Sequence, residues 1–224
     1  MQADDRENML YSNGKRCSIQ DEEVFMMNLL GEVKNQNTKL LDIGCGTGEI
    51  SIALKEKGYE TFGIDFSNIA IDIASKAGLN CIHADLDKGL PLEDQSFDIA
   101  WAGDVMEHVF DPIGVFNEIN RVLKSNGEFY ATIPYDLNLK TRIKTLIGRS
   151  YQEGVYKKYK QFKHHSFFSE NLMRFMYKSS GLKIKSISYV LINPLNRKKI
   201  ITSLKLFRIF SHLMIVKAEK IKTI

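Results

Sequence analysis

The stretch Leu40-Leu-Asp-Ile-Gly-Cys-Gly-Thr-Gly-Glu-Ile-Ser-Ile-Ala-Leu54 constrains this 224-residue chain more than any other. An apolar strand runs directly into Gly44, Gly46 and Gly48, and helical periodicity starts at once. Glycines there let the backbone turn sharply and approach a ligand, while the helix start offers unpaired N–H groups. Such a strand–loop–helix unit buries itself only inside a parallel α/β sheet. The rest of residues 39–134 agrees. Lys39–Ile43, Thr61–Ile64, Leu79–Ala84, Phe97–Gly103 and Glu128–Pro134 are strand-length and nearly continuously apolar, as strands covered on both faces must be. Thr47, Ser67 and Asp111-Pro112 read as helix starts, and Gly58, Gly78 and Gly127 as left-handed helix ends. Right-handed βαβ crossovers then give a doubly wound sheet with helices on both faces.

Which ligand the loop takes depends on spacing. A dinucleotide loop reads G-x-G-x-x-G, whereas position 49 is Glu and the pattern here is G-x-G-x-G. Asp42, two residues before the first glycine, would repel a pyrophosphate and suits a ligand carrying an ammonium group. S-adenosylmethionine has that ammonium and no phosphate. Asp65 closes the second strand in Gly63-Ile-Asp65, where a carboxylate can accept two ribose hydroxyls. Asp85 follows the third strand, placed to accept the adenine amino group. Three acids at the ends of three successive strands line the crevice where open α/β sheets bind ligands.

These stretches together resemble the class I S-adenosylmethionine-dependent methyltransferases of the small-molecule branch (type 11, MetW-like). Leu-Asp-Ile-Gly-Cys-Gly-Thr-Gly (41–48) matches the first motif and Gly-Ile-Asp-Phe-Ser (63–67) the second. Ala-Asp-Leu-Asp (84–87) is similar to the third. Ser-Phe-Asp-Ile-Ala-Trp-Ala-Gly-Asp-Val-Met-Glu-His-Val (96–109) is similar to the fourth, and Arg-Val-Leu-Lys-Ser-Asn-Gly-Glu-Phe (121–129) to the turn into the fifth strand. A weaker likeness continues through His-His-Ser-Phe-Phe-Ser (164–169) to Gly181. The resemblance implies a Rossmann-like, seven-stranded sheet, mostly parallel with an antiparallel last strand. It implies that Asp42 and Gly44 lie near the methionine end, Asp65 at the ribose, and Asp85 and Leu86 at the adenine. Gly103 and Asp104 would lie near the transferable methyl, and the matched motifs extend cofactor binding to Cys45, Gly46 and Phe66. S-adenosylmethionine would be the cofactor and S-adenosylhomocysteine its product.

The expected organisation is a single domain, 1–224. An N-terminal helical lid (1–37, with a helix over Ile19–Val33 and Tyr11 in the lid) precedes the cofactor core (38–134). A substrate-covering insertion and helix (135–180, the helix opened by Ser169) and the C-terminal strands (181–224) follow. Leu182–Val190 and His212–Ala218 read as strands, and Asn196–Phe210 between them as a basic amphipathic helix.

Methyl transfer needs a base only if the nucleophile starts protonated. The candidates are His108, Glu107, His164, His165 and Tyr135, with His108 and His165 taken as the catalytic pair. Cys45 is a small packing residue rather than a nucleophile. The histidines fall at no metal-ligand spacing, so no metal is expected. Cys17, Cys45 and Cys81 are odd in number without a C-x-x-C pair, which argues for a reducing, cytoplasmic setting. The first residues are acidic and lack the apolar core of a signal peptide, and no apolar run of membrane-spanning length exists.

Charge bears on the acceptor. Residues 1–135 hold 11 Lys+Arg against 23 Asp+Glu, and residues 136–224 hold 20 against 4, within a total of +4. The cofactor half is thus acidic and the covering half basic. Lys140, Arg142, Lys144 and Arg149, with Arg197, Lys198, Lys199, Lys205 and Arg208, suit an anionic small molecule, a lipid- or glycan-linked acceptor, or peripheral contact with an anionic membrane. O-, C- and N-directed transfer all stay open. The competing readings are a nicotinamide-dependent reductase, disfavoured by the loop spacing and Asp42, a cofactor-binding regulatory protein without catalysis, and an RNA methyltransferase. Nucleic acid is the less expected partner because an Asn-Pro-Pro-Tyr type of motif is absent.

Overall fold

The computed structural model describes residues 18–31, 33, 37–149, 164–193 and 195–221. Among them eight strands form one sheet: β1 (Lys39–Ile43), β2 (Glu60–Asp65), β3 (Asn80–His83), β4 (Phe97–Ala102), β5 (Leu123–Pro134), β6 (Leu182–Ile192), β7 (Lys199–Thr202) and β8 (Leu213–Lys220). The helices are α1 (Asp21–Leu30), α2 (Glu49–Glu56), α3 (Asn68–Lys76), α4 (Pro112–Val122), α5 (Leu139–Leu146) and α6 (Glu170–Ser179). The strand order is β3-β2-β1-β4-β5-β8-β6-β7. The first five strands are parallel, β8 runs antiparallel to both β5 and β6, and β7 is antiparallel to β6.

The inner parallel strands β1 and β4 are buried on both faces, and alternate residues serve different cores. Leu41 and Ile43 of β1, with Ala100 and Ala102 of β4, join Phe116 of α4 and Tyr177 of α6 on one face. Leu40, Ile99 and Trp101 point the other way, to Met26 and Met27 of α1 and Leu54 of α2. Period-two alternation between two apolar layers is why these strands read as continuous runs. On the first face Phe116 packs on Tyr177 with ring centroids 4.6 Å apart and on Phe129 at 6.0 Å. Burying each such ring contributes about 1.5–3 kcal/mol.

Local signals act where they were expected in most places. The Ser67 hydroxyl accepts the Ala70 N–H at 3.2 Å, and Asp111 accepts the Gly114 N–H at 3.0 Å ahead of Pro112. Gly58 and Gly78 take φ of 97° and 89° after their helices. Five expectations are corrected. Helix α2 starts after Gly48 (φ 87°) without a side-chain cap, and the Thr47 hydroxyl instead donates to Glu49. Gly127 lies within β5, and the left-handed residue beside it is Asn126 (φ 61°). Gly127 is needed for space, since a Cβ there would stand 2.9 Å from the Lys124 carbonyl. Finally, Asn196–Phe210 is not a helix, and the sheet has eight strands rather than seven. Lys199-Ile-Ile-Thr202 is β-branched and pairs with Tyr189–Ile192, through a turn closed by Asn193 N–H to Lys198 carbonyl (2.9 Å) with Arg197 left-handed. A 3-10 turn over Lys205–Phe210 follows. The N-terminal helix is shorter than expected, ending before Gly31 (φ 73°). Tyr11, Cys17 and residues 150–163 of the expected insertion lie outside the described residues.

Candidate active site

The sheet order reverses between β1 and β4, so the carboxyl ends of those strands open a crevice. Its floor is the glycine loop. Gly44, Gly46 and Gly48 have φ of 72°, 52° and 87°, conformations that L side chains rarely adopt. At Gly44 a Cβ would also fall 2.4 Å from Val105 Cγ2, so the loop lies directly against the turn after β4. The N–H groups of Gly44 and Cys45 both donate to the Ile64 carbonyl, at 2.8 and 3.0 Å. Cys45 packs against Ala74 and Leu79, and burial pushes its thiol up, as a packing residue rather than a nucleophile requires.

Two carboxylates frame the loop. Asp42 is 3% exposed and accepts the Ser51 hydroxyl at 2.7 Å. Burial pushes its carboxyl up to about 7, against the lowering effect of that bond. Asp65 accepts the Gly46 N–H on one oxygen and the Ser67 N–H on the other, both at 2.8 Å. Burial raises it too, and the backbone donors oppose this. A carboxylate has about four lone-pair sites, so both oxygens can accept further donors. Phe66 follows, with its ring 5.7 Å from that of His83. Asp85 caps the 3-10 turn Leu86–Lys88 by accepting the Asp87 N–H at 3.1 Å, and it pairs with Lys88 at 3.0 Å. Leu86 is half-buried against the main core.

The far wall follows β4. Gly103 leads to Asp104, a non-glycine residue with φ 52°. Its N–H donates to the Thr132 hydroxyl at 2.8 Å, and that hydroxyl donates back to its carboxylate at 2.7 Å. This mutual pair holds Asp104 in the left-handed region, a conformation that clusters at functional sites. Sequence reasoning missed Thr132 and also Glu23 of α1. The Glu23 carboxylate accepts the Gln20 N–H at 2.6 Å, and a Cβ on Gly103 would stand 3.6 Å from its Oε1. A Gln-x-x-Glu helix start was legible in the chain, but its meeting with β4 was not.

The flank beyond Asp104 is built by an irregular segment. The N–H groups of His165 and Ser166 donate to the Glu107 carbonyl at 2.7 and 3.2 Å, and the Phe168 N–H donates to Asp136 at 2.6 Å. His164 is thereby set edge-on to His108, with ring centroids 5.1 Å apart at 88°. His165 diverges, exposed and tilted by 31° against the Phe110 ring with centroids 4.0 Å apart. The histidine brought to His108 is therefore His164 and not His165. Glu107 is 2% exposed, its Oε2 has no hydrogen-bond partner among the described residues, and burial raises its carboxyl well above the usual range. Burial lowers His164, opposed by Asp136 and Asp104. Tyr135 is buried in the main core. Two of the nine basic residues are half-buried in ion pairs: Lys199 pairs with Glu22 at 2.6 Å and Arg208 with Glu170 at 3.0 Å.

Asp42, Asp65, Glu23, Asp104 and Glu107 thus surround one crevice. Left-handed glycines for close approach, free valences on Asp65 and a surplus of carboxylates fit a ligand that is neutral at its ribose and cationic at its other end. Comparison with known proteins agrees. A family model described as "Methyltransferase domain" matches residues 41–131. A "Ubiquinone biosynthesis O-methyltransferase" of Coxiella burnetii is 30% identical over 169 residues, covering 71% of this chain and 69% of that protein. A "Demethylmenaquinone methyltransferase" of Staphylococcus aureus is 38% identical over 100 residues, 41% of each chain. Among solved structures, a possible histamine N-methyltransferase of Thermotoga maritima superposes with a TM-score of 0.68 at 22% identity, covering 88% of this chain and 87% of that one. On the strength of that core, and of the relative matched over two thirds of its length, the chain belongs to the S-adenosylmethionine-dependent methyltransferases, enzymes that take S-adenosylmethionine as their cofactor.

Proposed function

We propose that the protein methylates a hydroxyl oxygen of a small ring-bearing acceptor, of the class of quinone precursors. The observation that carries this reading is the meeting of Glu107, His108 and His164, within 4.8 Å of one another, a few residues beyond Gly103 and Asp104. The names of the similar proteins, O-methyltransferases of ubiquinone biosynthesis, point the same way.

The cofactor supplies a methyl carbon already activated by its sulfonium, so the hard chemistry is not the protein's. The chain has to bind, orient and exclude water. Asp65 takes the ribose hydroxyls on the lone pairs that Gly46 and Ser67 leave open. Asp42 and Glu23 take the ammonium end, and Asp85 and Leu86 border the adenine. The acceptor's hydroxyl docks against His108 and His164 and gives up its proton there, in line with the methyl. Holding the two partners in that alignment supplies several kcal/mol of the barrier. Phe110, 71% exposed, and the His165 ring tilted against it offer an aromatic surface to a ring-bearing acceptor.

Calorimetry with S-adenosylhomocysteine, combined with mass spectrometry of acceptors, tests the reading. Asp65→Ala should lose at least about tenfold in affinity, one to two hydrogen bonds to a charged group, at an unchanged melting temperature. Unaltered affinity removes the ribose role. A panel of phenols and catechols should yield a methyl ether, and methyl recovered only on carbon or nitrogen refutes the hydroxyl assignment.

A further inference from the structure

We infer that Asp87 is a positioning residue that couples the two binding sites, passing occupancy of the adenine corner to the turn that receives the acceptor. The 3-10 turn Leu86–Lys88 starts at Asp85 and Leu86, which border the adenine in the proposed function, on which this inference rests. One residue further, the Asp87 carboxylate reaches across to the turn after β4. Its Oδ1 accepts the Phe110 N–H at 2.9 Å and the Asp111 N–H at 3.0 Å, and its Oδ2 stands 3.2 Å from the same Phe110 nitrogen. One side chain thus fixes two successive amides, 23 and 24 residues away in sequence. Hydrogen bonds to an ionised acceptor are about twice as strong as neutral ones.

Both ends of this link are anchored. Behind Asp87, the Leu90 N–H donates to Glu118 at 2.9 Å and the Leu90 carbonyl accepts Arg121 at 2.8 Å, which ties the far end of the 3-10 turn to α4. Its near end follows β3 directly, so Asp87 stands between the adenine side and a clamp. Beyond Phe110 the contacts run on toward the acceptor. The Phe110 ring lies against His165, and the Ser166 hydroxyl donates to the Val109 carbonyl at 3.3 Å. The Glu107 carbonyl takes the His165 and Ser166 N–H groups. Glu107–Phe110 and residues 164–166 are therefore joined into one body, and that body carries His108 and His164. A shift of the adenine turn is felt there through Asp87.

The competing role is local. A carboxylate beside Asp111 also favours the start of α4 through the helix dipole. A purely local role predicts lost stability with neither binding site altered. Coupling predicts instead that each ligand raises the affinity of the other by one common factor. Asp87 is exposed, which keeps that factor at the modest end, about fivefold.

Backbone amide exchange, followed by NMR on the full chain with and without S-adenosylhomocysteine, reads the link without an acceptor. The ligand should slow exchange at Phe110 and Asp111 about fivefold. In Asp87→Ala the slowing should vanish, while affinity for S-adenosylhomocysteine alone stays within about twofold. Asp87→Asn keeps an amide oxygen that can accept both N–H groups, so it should restore part of the effect. With catechol as acceptor, Asp87→Ala should raise KM about fivefold. Exchange that the ligand leaves unchanged in the wild type, or slows equally in Asp87→Ala, overturns the coupling. A lowered melting temperature with the ligand effect intact assigns Asp87 to the helix start and overturns it as well. Catechol left unmethylated by the wild type counts against the proposed reaction, whereas the exchange result still decides the coupling.

Discussion

At the scale of single residues, Asp42 has the most direct consequence. Its carboxyl is raised from 3.8 to about 7 because it is buried beside Asp65 and Glu23. Between those values the folded state holds a proton that the unfolded chain has released. Stability contributed by Asp42 is therefore full below about pH 4 and falls as pH rises to about 7. A cationic ligand reverses the preference, because the ionised form pairs with it. Affinity for S-adenosylmethionine is expected to rise from pH 6 to 8, and to become flat as well as weaker in Asp42→Asn. Calorimetry across that range checks it, and a pH-independent wild type refutes it. Asp42 and Asp65 were legible because strand ends and a glycine loop tie them to one place. Glu107 and His108 were legible as residues next to β4. The choice between His164 and His165 was not, since neighbours in an irregular segment part company according to what each packs against.

At the scale of elements, the C-terminal third shows what holds a covering layer onto a nucleotide-type core. Glu170, 3% exposed at the start of α6, bonds to Arg174 at 2.9 Å, to Arg208 at 3.0 Å and to Tyr189 at 3.0 Å. One carboxylate thus joins α6, β6 and the 3-10 turn. Removing it leaves the buried Tyr189 hydroxyl without its acceptor and frees two half-exposed guanidinium groups, so Glu170→Ala should cost about 1–2 kcal/mol of stability by urea unfolding. A change under about 0.5 kcal/mol would match an ordinary surface ion pair and refute this bracing role. The same elements explain where sequence reasoning failed. Lys199–Thr202 sits in a basic run that fits an amphipathic helix by spacing, yet the exposed edge of β6 was available and β-branched residues took it. The inner parallel strands are legible, because burial on both faces leaves an unbroken apolar signature that a short edge strand lacks.

At the scale of the whole molecule, the charge division acquires a surface. Helix α5 exposes Leu146 and Ile147 at 86% and 66% beside Lys140, Arg142 and Arg149, and the later 3-10 turn exposes Leu206 and Phe210 next to Lys205. None of the described helices is long and apolar enough to cross a membrane. Such a mixed surface is expected to co-sediment with vesicles containing anionic phospholipid and to be released by salt, because screening shortens the reach of its charges. Equal recovery with neutral vesicles would refute an electrostatic contact. By itself the sequence determined the glycine-loop half of the sheet: strand–loop–helix order, the left-handed glycines of the loop, and the acids at strand ends. All of these are local, since each depends on residues within one βα unit. Only the tertiary structure decided the eighth strand, the approach of Glu23 to Gly103, and the gathering of Glu107 and His108 with His164. Those residues lie far apart along the chain, and what joins them is sheet pairing and a few backbone hydrogen bonds that leave no periodic trace.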